Sequence, residues 1–190
     1  MFSVLFQIFS AYLLIDFVSG LFHFVEDNYF TPDTPIVGQT IYDNRVHHEK
    51  PRNIVAQSFW ETNSFLYTII TPWFVALFYC CGILFTPFAI SYIAIGMHTN
   101  QIHKYSHMTK SELPKWVFVM QRLFIFQNSH NSHHQDHTGN YCIVGNILNP
   151  ILEWLGFWNK FIFIISLCGG GNSTRDLDIK PYMLLHNKST

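Results

Sequence analysis

From Phe65 to Ile95 the chain carries no charged side chain, and histidine clusters stand on both sides of that run. A membrane span needs about 20 apolar residues, so the run is long enough to enter a bilayer. It is broken by Pro72, by Cys80, Cys81 and Gly82, and by Pro87. It therefore reads as one tilted helix or as two helices turning near Gly82. Parity separates the two readings. One crossing leaves His47 and His48 on the opposite side of the membrane from His103 and His137. Two crossings leave every cluster on one face. The clusters make chemical sense only together, so a hairpin is expected. Its arms are short at about 1.5 Å rise per residue, and they extend to about Trp60 and His103.

The rest of the chain supports a membrane setting. Hydrophobic residues make up 49% and charged residues 12%, against about 25% charged in ordinary soluble domains. Residues 1–24 are almost entirely apolar, with Asp16 as the one charge, and the first Lys or Arg is Arg45. A cleaved signal peptide needs a basic start and a small-residue cleavage site, so a retained first membrane helix is expected. Arg45, Lys50 and Arg52 place the side that follows it in the cytosol by the positive-inside rule. The net charge of −1 excludes the basic footprint of a nucleic-acid binder. The four Cys form no CxxC pair and read as free thiols.

The segment Glu26 to Glu61 reads as an ordered cytosolic loop with short helices. Trp116 to Phe126 is too short to span. Pro150 to Leu167 reads as an interfacial helix carrying Trp154, Phe157 and Trp158. Three or four spans fit these signals. The expected fold is all-α: a multi-pass integral membrane helical bundle with a cytosolic, His-rich dimetal site. Residues 1–168 form the membrane domain and residues 169–190 a soluble, flexible tail. That tail holds the sequons at Asn172 and Asn187, which a cytosolic location leaves unused.

Eleven His equal Lys and Arg combined, and their spacing is informative. Asp16, His23 and Asp27 are separated by seven and four, so they share one helical face. An acid inside an apolar span is a functional hypothesis by default. His47 and His48 are adjacent and do not form HExxH, so the zinc-protease motif fails. His103 and His107 stand four apart, with both rings on one helical face. His98 falls off that face and reads as a bystander. His130, His133, His134 and His137 fall on one helical stripe, with Gly139 expected to end the helix.

The candidate metal ligands are His23, Asp27, His47, His48, His103, His107, His130, His133 and His134, with His137 in reserve. That is too many for one tetrahedral zinc and suits two ions. Imidazole accepts Fe, Cu, Zn and Ni, so ligand type alone does not name the metal. Iron activates O2, and a His-rich dimetal site beside an apolar body is what oxidation of a lipid C–H bond needs. The candidate catalytic residues are His103, His107, His130, His133 and His134. Gly169, Gly170 and Gly171 are not a dinucleotide motif, because no strand–turn–helix surrounds them. Electrons must come from an external donor such as cytochrome b5 or a ferredoxin.

These residues resemble the Kua-type lipid desaturase family, which includes plasmanylethanolamine desaturases and a plant plastid desaturase of phosphatidylglycerol palmitate. The likeness runs from about Ala11 to Phe157. It is carried by Asp16 to Gly20 with His23 and Asp27, Thr34 to Gly38, His47 and His48 with Pro51, Glu61 to Asn63, Thr99 to His107, His130 with His133 and His134, Tyr141 to Ile143, and Asn149. The resemblance implies a helical membrane fold, a His-ligated di-iron centre and O2-dependent desaturation. It also implies lipid metabolism in the endoplasmic reticulum or an equivalent internal membrane, with the His clusters facing the cytosol.

The chain departs from the family pattern at several points. Phe24 and Tyr105 stand where Trp is usual, Asn44 stands where Phe is usual, and Asn146 to Asn149 lacks the usual Trp. A further His that the ether-lipid branch carries near Gln57 is absent, and His98 or His137 is the candidate to compensate. Asp27 to Tyr29 and Thr109 to Pro114 resemble the acyl branch, whereas Glu61 to Asn63 and Thr99 to Ile102 resemble the ether-lipid branch. Plasmalogen formation is the favoured activity. Acyl desaturation or hydroxylation at the same site is the alternative, and a non-enzymatic membrane metal-binding or localisation module is the second.

Overall fold

The computed structural model describes residues 2–123, 125–126, 130–171 and 173–186. All regular elements among them are helical. The long first helix α1 (Phe2–Asn28) is followed by α2 (Gly38–Glu49) and the short α3 (Asn53–Ala56). Next, α4 (Phe59–Phe65) runs through a π-helical stretch, Leu66–Ile70, into α5 (Thr71–Cys80). The chain then turns into α6 (Pro87–Gly96) and continues through α7 (Thr99–Ser106) and α8 (Lys115–Arg122). A 3-10 turn at His130–Ser132 leads into α9 (His133–Asp136). The last elements are α10 (Leu148–Trp154), α11 (Phe157–Leu167) and α12 (Lys180–His186).

The hairpin forms as parity requires. Gly82 turns the chain with φ of 69°, a left-handed conformation that glycine adopts without a Cβ penalty. Thr86 then caps α6 by accepting the Ala89 N–H, with Pro87 at the first helical position, where its missing N–H costs nothing. At the other end, Ser58 and Glu61 form a reciprocal capping box on α4. Ser3–Asn28 and Phe59–Cys80 are long and apolar enough to cross a membrane. By itself α6 is about 15 Å long, shorter than a hydrocarbon core of about 30 Å. Phe6, Trp73 and Phe85 stand at least 70% exposed, as expected of a surface facing lipid rather than water.

Two apolar cores flank the region where the histidines meet. One joins α1 to the hairpin through Ala11, Ile15, Phe78, Ala89 and Tyr92. The other packs Phe24 of α1 against Tyr141, Leu152 and Trp158, with the Phe24 and Trp158 rings stacked at 5.2 Å. Between them, a loop around Cys142 lies directly on α1 at Gly20, where any Cβ would stand 2.7 Å from the Cys142 sulfur. Asp16 anchors the same loop. Its buried Oδ1 accepts the Val144 and Gly145 N–H groups at 3.0 and 2.9 Å. The intramembrane acid is thus a backbone clamp.

Three local expectations change. The segment Pro150 to Leu167 is not one interfacial helix: α10 and α11 meet at 63° around Gly156, whose φ is 58°. Trp158 is core rather than rim. The histidine stripe is a 3-10 turn joined to a single α-turn, and it ends at His137, itself left-handed at φ 54°. Gly139 does not end it; its lack of a Cβ instead makes room for the Glu153 carboxylate. Beyond Gly169, residues 173–179 fold back on the end of α1. Thr174 N–H donates to the Asn28 carbonyl, and the Arg175 guanidinium donates twice to Asn28 Oδ1. Asn172 and Asn187 lie outside the described residues.

Candidate metal centre

The histidine segments converge at the polar end of α1 and sort into two groups. In the first, His47, His103, His107, His130 and His134 each offer one ring nitrogen, all within 4.8 Å of one another. In the second, His23, Asp27, His48 and His133 do the same with three nitrogens and a carboxylate oxygen. Imidazole and carboxylate ligands sit about 2.0–2.2 Å from a first-row ion, so opposite ligands lie a little over 4 Å apart. Both groups have nearly that span.

Local structure explains the sorting. On α7 the four-residue spacing brings His103 Nε2 to 3.2 Å from His107 Nε2, and His47 Nε2 approaches His103 Nε2 equally closely. On α1 the same spacing brings His23 Nε2 to 3.6 Å from Asp27 Oδ2. His48 and His133 approach Asp27 from α2 and α9 at 3.1 and 3.2 Å. Adjacent residues His47 and His48 therefore serve different groups, because successive helical residues point about 100° apart. His130 and His133 also divide, with ring centroids 5.0 Å apart, so the two groups form one continuous cluster.

These side chains are buried without ordinary partners. Among the described residues, both ring nitrogens of His130 and of His134 have no hydrogen-bond partner, nor does His47 Nδ1. Leaving a buried polar atom unpaired costs about 1–3 kcal/mol, so this many orphans in one place call for a ligand that accepts lone pairs. Protonation is not that remedy. Burial, with repulsion from His107 and His48, pushes the His47 pKa down to about 2. Burial, with His48 and His133, pushes His107 to about 4. His103, His130 and His134 move the same way for the same reasons. The rings stay neutral, which is the state that binds metal. The donor set fits two cations.

The second group is also held from outside. His133 Nδ1 lies 2.7 Å from the Gly139 carbonyl and His23 Nδ1 lies 3.2 Å from that of Tyr141. Asn44 Nδ2 donates to Asp27 Oδ1 at 2.7 Å, and the buried Arg45 donates to the Asp27 carbonyl at 2.6 Å. Such outer contacts orient ligands and set ring tautomers. Asn44, Arg45 and Tyr141 were not singled out as site residues from spacing, because each acts through a backbone or a neighbour.

The reserve residues do not join either group. His137 Nε2 is 3.1 Å from the His134 carbonyl, although its ring stacks edge-on at 4.7 Å from His48. His98 bonds the Ala94 carbonyl and the Tyr67 hydroxyl, so it does not compensate for the absent His near Gln57. The first group holds five His without it.

A cavity of about 440 Å³ opens onto the cluster at His23, His47 and His103. Its lining includes the apolar side chains of Val18, Phe22, Phe65 and Phe74 from α1 and the α4–α5 segment. It also includes the polar residues Glu26, Asn44 and Asn100. None of its described lining residues is Lys or Arg.

Residues 12–176 match the lipid desaturase domain. A probable fatty acid desaturase of Acanthamoeba polyphaga mimivirus is 37% identical over 161 residues, covering 81% of this chain and 78% of that protein. Plasmanylethanolamine desaturase 1 of Mus musculus is 34% identical, covering 83% and 63%. The chloroplastic fatty acid desaturase 4 of Arabidopsis thaliana is 31% identical, covering 76% and 46%, so the chain spans about half the length of that plant relative. No solved structure matches. A helical membrane protein with a buried, lone-pair-rich histidine cluster at the mouth of an apolar cavity, matched along most of its length by this domain, belongs to the lipid desaturase family of oxidoreductases.

Proposed function

We propose that the chain is a di-iron, O2-dependent desaturase of a phospholipid chain, acting on the 1-O-alkyl chain of a plasmanylethanolamine to form the vinyl ether of a plasmalogen. The observation that carries this reading is a cavity that reaches His23, His47 and His103 and is lined by both apolar and polar side chains. A phospholipid has the same two kinds of surface, with the reacting carbons at their junction. The ether-lipid choice rests on the cavity's acidic lining residues Asp43 and Glu61, with no Lys or Arg among the described lining residues. That composition accepts an ammonium headgroup more readily than a net-anionic one. The 34% identity to the mouse plasmanylethanolamine desaturase points the same way.

His47, His103, His107, His130 and His134 would hold one iron, and His23, Asp27, His48 and His133 the other. Bound iron supplies activation of O2 for removal of hydrogen from the chain. The protein's own work is placement. Val18, Phe22, Phe65 and Phe74 hold the hydrocarbon and keep that side dry, which suppresses side reactions. Glu26 and Asn100 border the headgroup end. Electrons arrive from an external one-electron carrier such as cytochrome b5 or a ferredoxin, and an internal membrane with the histidines facing the cytosol gives that carrier access.

Expression in cells lacking plasmalogens, with a reductase present and lipids read by mass spectrometry, tests the proposal. Vinyl ethers are expected. New acyl double bonds without vinyl ethers move the substrate to the acyl branch. Hydroxylated chains alone, or no oxidised lipid, overturn the desaturase reading.

A further inference from the structure

A second cavity, of about 320 Å³, lies on the other side of the histidine cluster. Its walls are Asp27 and His48 of the second ligand group, His137, Arg45, and the 175–179 segment folded over them. The two cavities share no lining residue among those described. Consecutive residues face opposite ways: Glu26, Asn44 and His47 line the lipid cavity, whereas Asp27, Arg45 and His48 line the second. The end of α1 and the face-switching of α2 thus form a partition, with the candidate ligands set into it.

The chemistry of the two sides differs. Leu177 and Ile179 are the apolar members of the second cavity's lining, and the rest are charged residues or histidines. Arg45, which lines this cavity, is 6% exposed, and its Nε–H is buried with no partner among the described residues. A buried donor without a partner in a roomy polar space is where ordered water is expected.

We infer that the second cavity is the water and proton port of the centre, separate from the lipid entrance. The inference rests on the desaturase reading. Each double bond formed takes two hydrogens, with their electrons, from adjacent carbons. O2 accepts these together with two electrons from the external carrier and two protons from solvent, and two waters result. With a lipid in place, the first cavity is filled. The waters leave, and the protons enter, through the polar space beside Asp27 and His48. The ligand of this site is water, and the 175–179 segment is its outer wall.

The test places a removable plug at the port. Asp178 is an exposed lining residue of that wall. Asp178→Cys in lipid nanodiscs is modified with a small and then a bulky thiol reagent, and each form is compared with the same variant before modification. Wild-type protein treated identically controls for Cys80, Cys81 and Cys168, which are exposed. The bulky adduct is expected to lower kcat about tenfold with the lipid KM within about twofold, while the small adduct has little effect. Hydroxyl-radical footprinting of the lipid-loaded protein supplies a readout independent of turnover, with labelling expected at Leu177 and His137 and not at Phe74. Unchanged turnover under the bulky adduct, or a dry Leu177 and His137, overturns the port. Absence of desaturation in untreated wild type sinks the functional reading instead.

Discussion

The two ligand groups are built on different principles. The second holds the one carboxylate of the cluster and is braced from outside, by Asn44 on Asp27, by Gly139 on His133 and by Tyr141 on His23. The first is all imidazole, and its His130 and His134 rings have no partner at either nitrogen. Outer-shell partners hold ligands in place before an ion arrives and add to affinity. The second group is therefore a prepared site, whereas the first depends on its ion to order it. Stepwise removal of metal by a chelator should empty the first position before the second. Metal analysis should then show a plateau near one ion per chain, and a single-step loss of both ions would break the comparison.

The largest effect is expected within the first group. His134→Ala, His103→Ala or His107→Ala should abolish product, a fall of at least about 10³-fold in kcat, while the protein stays in the membrane and keeps close to one ion. Lipid mass spectrometry and metal analysis read the two outcomes. Full activity in any of these variants removes that residue from the centre. Next comes Asp27→Asn, which removes the only anion among the nine candidate ligands. The second ion should be lost and activity with it. The first group contains no carboxylate and does not include Asp27, so the residual metal should sit on its five histidines.

Much of this arrangement was legible in the sequence, and the parts that were not have physical causes. Hairpin parity needed only the apolar run between Phe65 and Ile95 and the positions of the histidines on either side. The pairing of His103 with His107 followed from a four-residue step on a helix. The division of His47 from His48 did not, because adjacency in sequence suggests a shared role while α2 turns them to opposite sides of a partition. The stripe from His130 to His137 assumed one continuous α-helix. A 3-10 onset, about 120° per residue rather than 100°, and a left-handed His137 redirect its rings. The fold-back of residues 173–179 depends on Asn28 and Arg45 meeting backbone from the far end of the chain, a contact no local pattern signals. Asn44 looked like a departure from the family pattern and proves to be the hydrogen-bond donor to Asp27.

Asn44→Ala sharpens the comparison at a smaller scale. It removes a brace from the second group and touches no ligand of the first. Loss of an outer-shell partner typically costs about 10–100-fold in metal affinity, so retention at the second position should weaken by that order while the first is unchanged. If chelator titration shows equal weakening at both positions, the groups are coupled more tightly than their separate partners imply.

The smallest effect is expected at Gln57, where the ether-lipid branch carries a nearby His and this chain does not. Gln57 lines the lipid cavity, its backbone carbonyl takes the Lys104 ammonium, and its side chain accepts from Thr62. The first group already has five imidazoles with neutral, inward-facing nitrogens, which leaves at most one place on a six-coordinate ion. Gln57→His should therefore raise metal retention at the first position by no more than about tenfold, leave the second position unchanged, and leave the product lipid the same. A large gain in retention would mean that one of the five is not a ligand in the loaded protein, with His134, the least buried of them, the first to suspect. A change in product without a change in metal would instead assign Gln57 to the lipid rather than to the centre.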